Sequence, residues 1–548
     1  MYPQGKSKEL FEAISRVNKE AYASTIHLAN HVLSKTPCCG LLERYELGAA
    51  PPHFTRLQMA GRVLRTWGVH LAVIGLMIMA RFAQAGAGLN NSRELGKKGR
   101  KVTVVDIFIL ARKVLDEKRF KDNYLPGLPE ALAKKGHSTV ILARFYGTRN
   151  PRCLKKLFSI LKGHNIPVIT EYELFRFCDW LALLKFGFLF PLQTLRLARQ
   201  LGQDERLYQL AHKSSCKKDG GCKCPPSPLA YISSALIQCL GQNYMSGEAR
   251  RLAARRLAAL LPEGSRVISW YENQVVDKCF YRGLHEAGAD VFTIGAQLLT
   301  WPSNLLNNHA DSADGQHGAA PDLVLVNGPY FLPDLAEDAV SKEDFSVEVP
   351  GARPYYPYPG GPEYRIGPAL RYKDLFETEI EPDRSAPVLM LLSYHPVETE
   401  RVLQLAKPLA EKGVKLALRF HPATNWQAFA HLLPVNYSLA GGPIQSALEG
   451  ASLVVGAGSG TLAEAVCMGL PVIAVEPEDG TGLNYLPDYG KGELWDSISR
   501  ADGFFPACDR LWGVLEREPV LRQEKIKVFR SLMFTKPTEE AIIQAFEL

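Results

Sequence analysis

"LVVGAGSGTLAEAVCMGLPVIAVE", residues 453 to 476, decides the fold. An apolar strand (451–458) runs into a glycine and serine loop, the loop opens a helix at "TLAEAVCMG", and a second apolar strand (470–478) follows. Strands that are apolar along their whole length are buried on both faces, which is the condition of a parallel sheet covered by helices. Gly456, Gly458 and Gly460 permit a sharp turn and close approach of backbone to a ligand. The free N–H groups of a helix start favour an anion there, and Ser459 and Thr461 add hydroxyls. Thr461 and Glu464 also have the spacing of a capping box, which needs no ligand. The spacing is not the dinucleotide fingerprint, and no P-loop lysine follows, so nicotinamide and ATP readings fall away.

The same alternation extends outward in both directions. Upstream lie a strand at 386–394, a helix at "ETERVLQLAKPLAEKG", the strand "VKLALRFHP" and a helix at "NWQAFAHLL"; downstream, helices are expected to fill the chain. A separate series precedes it, with strands at 101–110, 138–146, 166–172, 266–273, 290–297 and 322–330 and helices between them. The Pro/Gly/Tyr-rich stretch 350–364 reads as a crossing between the two series. The expected organisation is a helical extension with a basic linker (1–100), a first α/β half (101–379) and a second α/β half with the closing helices (380–548). Two doubly wound halves place a cleft between them, with strand ends facing it.

Two strand ends in that cleft carry chemistry. "LALRFHPATN" (416–425) ends an apolar run in Arg419, Phe420 and then His421, pinned by Pro422. An imidazole where a buried strand runs out is placed to meet an anion. Arg419 is a weaker candidate, because in an extended strand it points to the other face. "ISWYENQVVDKCF" (268–280) ends a strand of the first half in Trp270, Tyr271, Glu272, Asn273 and Gln274. Glu272 there suits a general base, with Asn273 and Gln274 on sugar hydroxyls; the alternative is that Glu272 caps the next helix. Asp277 and Asp106 rank behind Glu272 as carboxylates of the same half.

The two-half pattern resembles the GT-B glycosyltransferases. The His-Pro pair about forty residues before a serine-bearing loop is similar to bacterial Kdo and sialic acid transferases, which use CMP-sugars. The "YEN" segment looks like that of surface-carbohydrate biosynthesis proteins. By that resemblance Gly458, Ser459, Gly460 and Thr461, with His421 and Pro422, would hold the donor phosphate, and Glu464 the ribose hydroxyls. The implied activity is metal-independent transfer of Kdo, sialic acid or a related sugar from a CMP donor to a surface glycan or lipid-linked acceptor, with no cofactor. This chain departs from the family's two adjacent serines, having Gly-Ser-Gly-Thr at 458–461. A UDP-sugar transferase or 2-epimerase, and a non-catalytic glycan-binding or assembly protein, are the alternatives.

Composition fits this reading. The chain has 548 residues, 46% hydrophobic, 22% charged, with net charge +7. That charge is too dilute for nucleic acid but fits anionic substrates or a membrane surface. Cys216, Cys222 and Cys224 lack the two-residue spacing of zinc sites, so their loop reads as surface and no metal is expected. The start "MYPQGKSKELFEA" has no signal-peptide pattern, so a cytoplasmic protein is expected. Two apolar patches, 67–83 and 180–198, are broken by His70 and Arg81 and by Lys185, Pro191 and Arg196. They read as too short to span a bilayer, and as either buried helices or segments on the inner face of a membrane.

Overall fold

In the computed structural model the described residues are 9–10, 12–22, 45, 50–92, 95, 101–146, 148, 150–216, 227–302, 308–333, 361–422, 424–478 and 482–546, side chains excepted at 146 and over 207–216. The cysteine loop and the stretch 350–360 lie outside them: of the three thiol positions only the backbone of Cys216 is described.

The first sheet has seven strands: β1 (Val102–Leu110), β2 (Ser138–Tyr146), β3 (Val168–Thr170), β4 (Ser265–Trp270), β5 (Val291–Gln297), β6 (Leu323–Val326) and β7 (Glu363–Ile366). Their order is β3-β2-β1-β4-β5-β6-β7. All pairs are parallel, and β1 and β2 match over nine residues from Val102↔Ser138 to Leu110↔Tyr146. The second sheet has six: β8 (Val388–Leu392), β9 (Leu416–Phe420), β10 (Ser438–Leu439), β11 (Leu453–Gly456), β12 (Val472–Val475) and β13 (Trp495–Ile498). Its order is β10-β9-β8-β11-β12-β13, again all parallel. Both sheets therefore reverse direction beside their first strand, between β1 and β4 and between β8 and β11. These switch points open the crevices in which such folds bind ligands. The architecture is GT-B, two doubly wound parallel sheets meeting at a cleft, as the alternation of the sequence implied. Strands β7, β10 and β13 are additions to the sequence reading; each is short and carries polar residues (Glu363 and Arg365, Ser438, Asp496 and Ser497) in place of an apolar run.

Seven helices matter below: α1 (Arg56–Ala87), α2 (Phe177–Cys216), α3 (Met245–Ala258), α4 (Val275–Glu286), α5 (Pro396–Glu411), α6 (Thr461–Cys467) and α7 (Pro519–Met533). Under β1 and β4 the core is polar as well as apolar. Arg250 of α3 is buried between Asp106 and Glu171, with its guanidinium 4.0 Å from the Phe280 ring. Arg144 binds Asp106 at 2.9 Å and Asp277 at 3.2 Å. Buried charges persist when paired in this way. Asp106 and Asp277 are thus held in an internal ion network, which corrects their ranking as reserve catalytic carboxylates.

The two sheets lie on either side of residue 380, the first ending at Ile366 and the second starting at Val388. The closing helices do not stay with the second sheet. Arg522 and Arg530 of α7 donate to Gly469 O and Cys467 O of the second half. Immediately after, Thr535 N donates to Asn327 O at 2.7 Å and Thr535 O accepts from Ala369 N at 2.9 Å, both in the first half. Gly328 has no room for a Cβ beside the Leu532 and Met533 backbone. Ala545 and Phe546, at the end of the helix Glu539–Ala545, are buried in the first half's core.

Candidate functional site

A cavity of about 620 Å³ opens at the switch point of the second sheet. Its walls follow from where strands stop. After β8 come Ser393 and Tyr394, after β9 His421 and Pro422, and after β11 Gly458, Ser459, Gly460 and Thr461, with Glu464 one turn into α6. The first half supplies Leu299, Thr300, Arg371 and Tyr372, so the cavity lies between the halves. The structure brings every residue expected to hold the donor into this one space.

The loop differs from the expected capping box. Gly460, not Thr461, is the cap, and it has no side chain to give. Ser459 Oγ accepts from Thr461 N at 3.3 Å, and Glu464 stands in the first turn of α6 behind it. Helix α6 has only seven residues, so its dipole is small and the hydroxyls and nearby cations dominate any grip on an anion. Gly458 has φ 56°, the left-handed region that glycine adopts without strain, and its Ser393 and Glu398 neighbours fix the turn. Ser393 Oγ donates to Gly458 O at 3.4 Å and accepts from His395 N at 3.2 Å, tying the β8 and β11 ends together.

His421 stands exposed at the rim, its backbone N–H donating to Leu392 O at 2.9 Å and its ring 5.5 Å from that of Tyr394. Partial burial holds its pKa below the usual imidazole value. Arg419 lines the cavity too, but its guanidinium donates to the carbonyls of Ala440, Gly441 and Gly442. Burial raises the Glu464 pKa, and the Arg371 guanidinium and the Thr461 hydroxyl oppose the rise.

Arg371 is the residue that sequence reading missed. It sits on a 3-10 helix (Leu370–Phe376), outside any motif, and is placed by aromatic rings. Its guanidinium lies 5.2 Å from the Trp270 ring and 5.5 Å from the Tyr124 ring. The one available signal was its position after the Pro/Gly stretch that crosses between halves. Tyr394 was also missed, although "SYHP" at the end of β8 repeats the pattern of "RFHP" at the end of β9.

The first-half residues are placed differently. Glu272 follows β4 at the switch point of the first sheet but does not line the cavity. It accepts the Trp270 indole N–H at 2.7 Å, and Arg371 of the cavity wall lies 5.2 Å from that same ring. Asn273 is buried with φ 54°; its amide donates to His309 O at 2.9 Å and its oxygen accepts from Tyr271. Gln274 caps α4 in a box with Asp277. Neither is among the residues that line this cavity, and both are engaged in the turn before α4, as polar residues at such turns often are.

No family model matches this chain, and no curated protein matches it. Among solved structures it is similar to a glycosyltransferase from Rickettsia africae (9% identity, TM-score 0.40, covering 82% of this chain and 97% of that one). It is also similar to an alpha,alpha-trehalose-phosphate synthase (UDP-forming) from Burkholderia vietnamiensis (12%, 0.38, 82% and 98%). A third is an E. coli structure bound with UDP-2-fluoro glucose (10%, 0.41, 81% and 97%). These are distant likenesses of shape, and the fold rests on the strand order of the two sheets.

Proposed function

We propose that this chain is a glycosyltransferase taking its sugar from a CMP donor. The observation that supports it is the convergence of Arg371, His421, Ser459, Thr461 and Glu464 on one cavity between two doubly wound halves. In this reading Ser459, Thr461 and the His421 imidazole hold the phosphate, Glu464 holds the ribose, and Arg371 meets charge developing on the leaving nucleotide. The acceptor hydroxyl attacks the anomeric carbon, the bond from that carbon to the phosphate oxygen breaks, and CMP departs with the electron pair. The hydroxyl proton passes to Glu272. Kdo, sialic acid or a related sugar is the proposed cargo, delivered to a surface glycan or glycolipid.

Arg371 also favours a second reading. A diphosphate donor such as a UDP-sugar would use a further cation opposite the serine loop. Thermal-shift measurements with CMP, CDP, UDP and GDP separate the two, because a ligand that binds only the folded state raises its melting temperature. CMP giving the largest shift is expected; a larger shift with UDP and none with CMP would replace the donor, and no shift with any nucleotide would overturn the reading.

A further inference from the structure

Helices α1 and α2 lie antiparallel on the first half: His70 Nδ1 is 3.3 Å from Gly187 O, Trp67 donates to Phe188 O, and Gln84 donates to Glu173. One stripe of α1 (Val63, Thr66, His70, Ile74, Met77, Ala80, Gln84) is buried against the protein. The opposite stripe is uncovered. Leu57, Leu64, Leu71 and Ile78 recur every seven residues along it, followed by Phe82, with Leu57 84% and Phe82 73% exposed. Phe177, Leu181, Leu184, Phe188 and Leu192 form a matching ridge on α2, with Phe177 77% exposed. The Trp67 and Phe188 rings stack at 5.2 Å and 3°, joining the two ridges into one apolar face.

The charge around this face is of one sign. Between Arg56 and Ala87 the sequence has no Asp or Glu, and between Trp180 and Gln203 it has none either. Arg56, Arg65, Lys185, Arg196 and Arg199 are exposed there, with no ion pair to any described residue. Apolar ridges, an indole at the surface and basic residues alone are the pattern of a helix pair lying in the headgroup layer of an anionic bilayer. Both helices are long and apolar enough to cross a membrane, correcting the expectation from sequence that they are too short. At 32 residues, α1 is about 48 Å long. Spanning would nevertheless strip it from the first half, to which Gln84 is anchored through Thr170 and Glu173. Those anchors place Phe82 and Phe177 at the carboxyl end of β3, the same side of the sheet as the cleft.

We propose that the paired outer faces of α1 and α2 dock this protein on an anionic lipid surface without crossing it. The proposal does not depend on which nucleotide the cavity takes, or on whether it takes one. Flotation with vesicles of phosphatidylcholine alone, and with about one-third phosphatidylglycerol, tests it. Binding to the anionic vesicles, weak binding to the neutral ones and release by alkaline carbonate are expected. Leu64→Gln with Leu71→Gln should lower binding at least about tenfold, and Arg65→Gln or Arg199→Gln about fivefold on anionic vesicles only. These side chains are exposed, so folding should survive; as a check needing no apolar substitution, brominated lipid should quench wild-type tryptophan emission more than that of Trp67→Phe. Failure of the wild type to float, or unchanged binding by the leucine variant, overturns the proposal. So does resistance to carbonate, which would mean spanning. A dimer that the leucine variant dissociates without affecting flotation would make the face a protein interface instead.

Discussion

Thr300 and Gly460 meet across the cleft with no space for a Cβ between them. Thr300, in the first half, is held by its N–H to Tyr372 Oη at 3.2 Å, and Gly460 is the cap of α6 in the second. The halves are therefore in contact at the loop proposed to hold the phosphate, and Gly460 is needed for lack of a side chain, since its φ of −63° is open to any residue. Gly460→Ala should wedge the halves apart and weaken nucleotide binding about tenfold or more, a cost typical of overpacking. Thr300→Ala in the same chain should restore most of it. Calorimetry on the single and double variants checks the coupling; equal losses in both would place the defect within the loop.

The proposed phosphate grip should depend on pH through His421. Burial holds its free pKa below the usual imidazole value, and a bound phosphate would raise it. The bound state then keeps a proton where the free state does not, so the histidine's contribution is present at low pH and lost as pH rises through the bound-state pKa. Because the nucleotide phosphate titrates nearby, the readout is the ratio of CMP affinity in wild type to His421→Asn. That ratio should be about ten- to a hundred-fold at pH 5.5 and approach one near pH 8.5. A ratio independent of pH would remove His421 from the phosphate.

Glu464 should distinguish a ribose from a deoxyribose. It lines the cavity from the first turn of α6, directly behind the loop. Glu464→Gln is expected to weaken CMP about tenfold and deoxyCMP much less, measured by competition. Equal losses would mean that the carboxyl only orients Thr461.

Glu272 and Asp106 should fail in different ways. Glu272→Gln is expected to lower transfer by about a hundred- to ten-thousand-fold with CMP affinity and melting temperature unchanged. Asp106→Asn instead disturbs the buried Arg250 and Arg144 pairs, and removing a partner from such a network costs about 3–5 kcal/mol of stability. Urea unfolding beside a transfer assay separates them. Full activity in Glu272→Gln would send the search for the base elsewhere on the first-half wall.

Much of this was legible because burial leaves a mark in sequence. Strands such as β8, β11 and β12 carry no polar side chain from end to end, and such runs mark a parallel sheet covered on both faces. His421 and the 458–461 loop were legible because each sits at a strand's carboxyl end. Arg371 was not, since aromatic rings from distant segments, Tyr124 and Trp270, position it. The partner of Asn273 was not legible for a related reason: nothing local shows that a polar side chain will turn inward to His309. The uncovered stripe of α1 falls between these cases. Its seven-residue repeat is visible in sequence, but which face the protein covers is decided by α2.

The return of the closing segment to the first half sets the order in which the protein can be assembled. With Phe546 inside the first half's core and Thr535 bridging Asn327 and Ala369, that half is built from two lengths of chain separated by the whole second sheet. Synthesis through residue 380 leaves it short of a wall, and the second half must emerge before the missing piece arrives. Cutting the chain at 380 to obtain two independent folding units would therefore expose apolar surface on the first and leave the second with a helix whose binding surface is absent. The two halves are separate as sheets and inseparable as folding units.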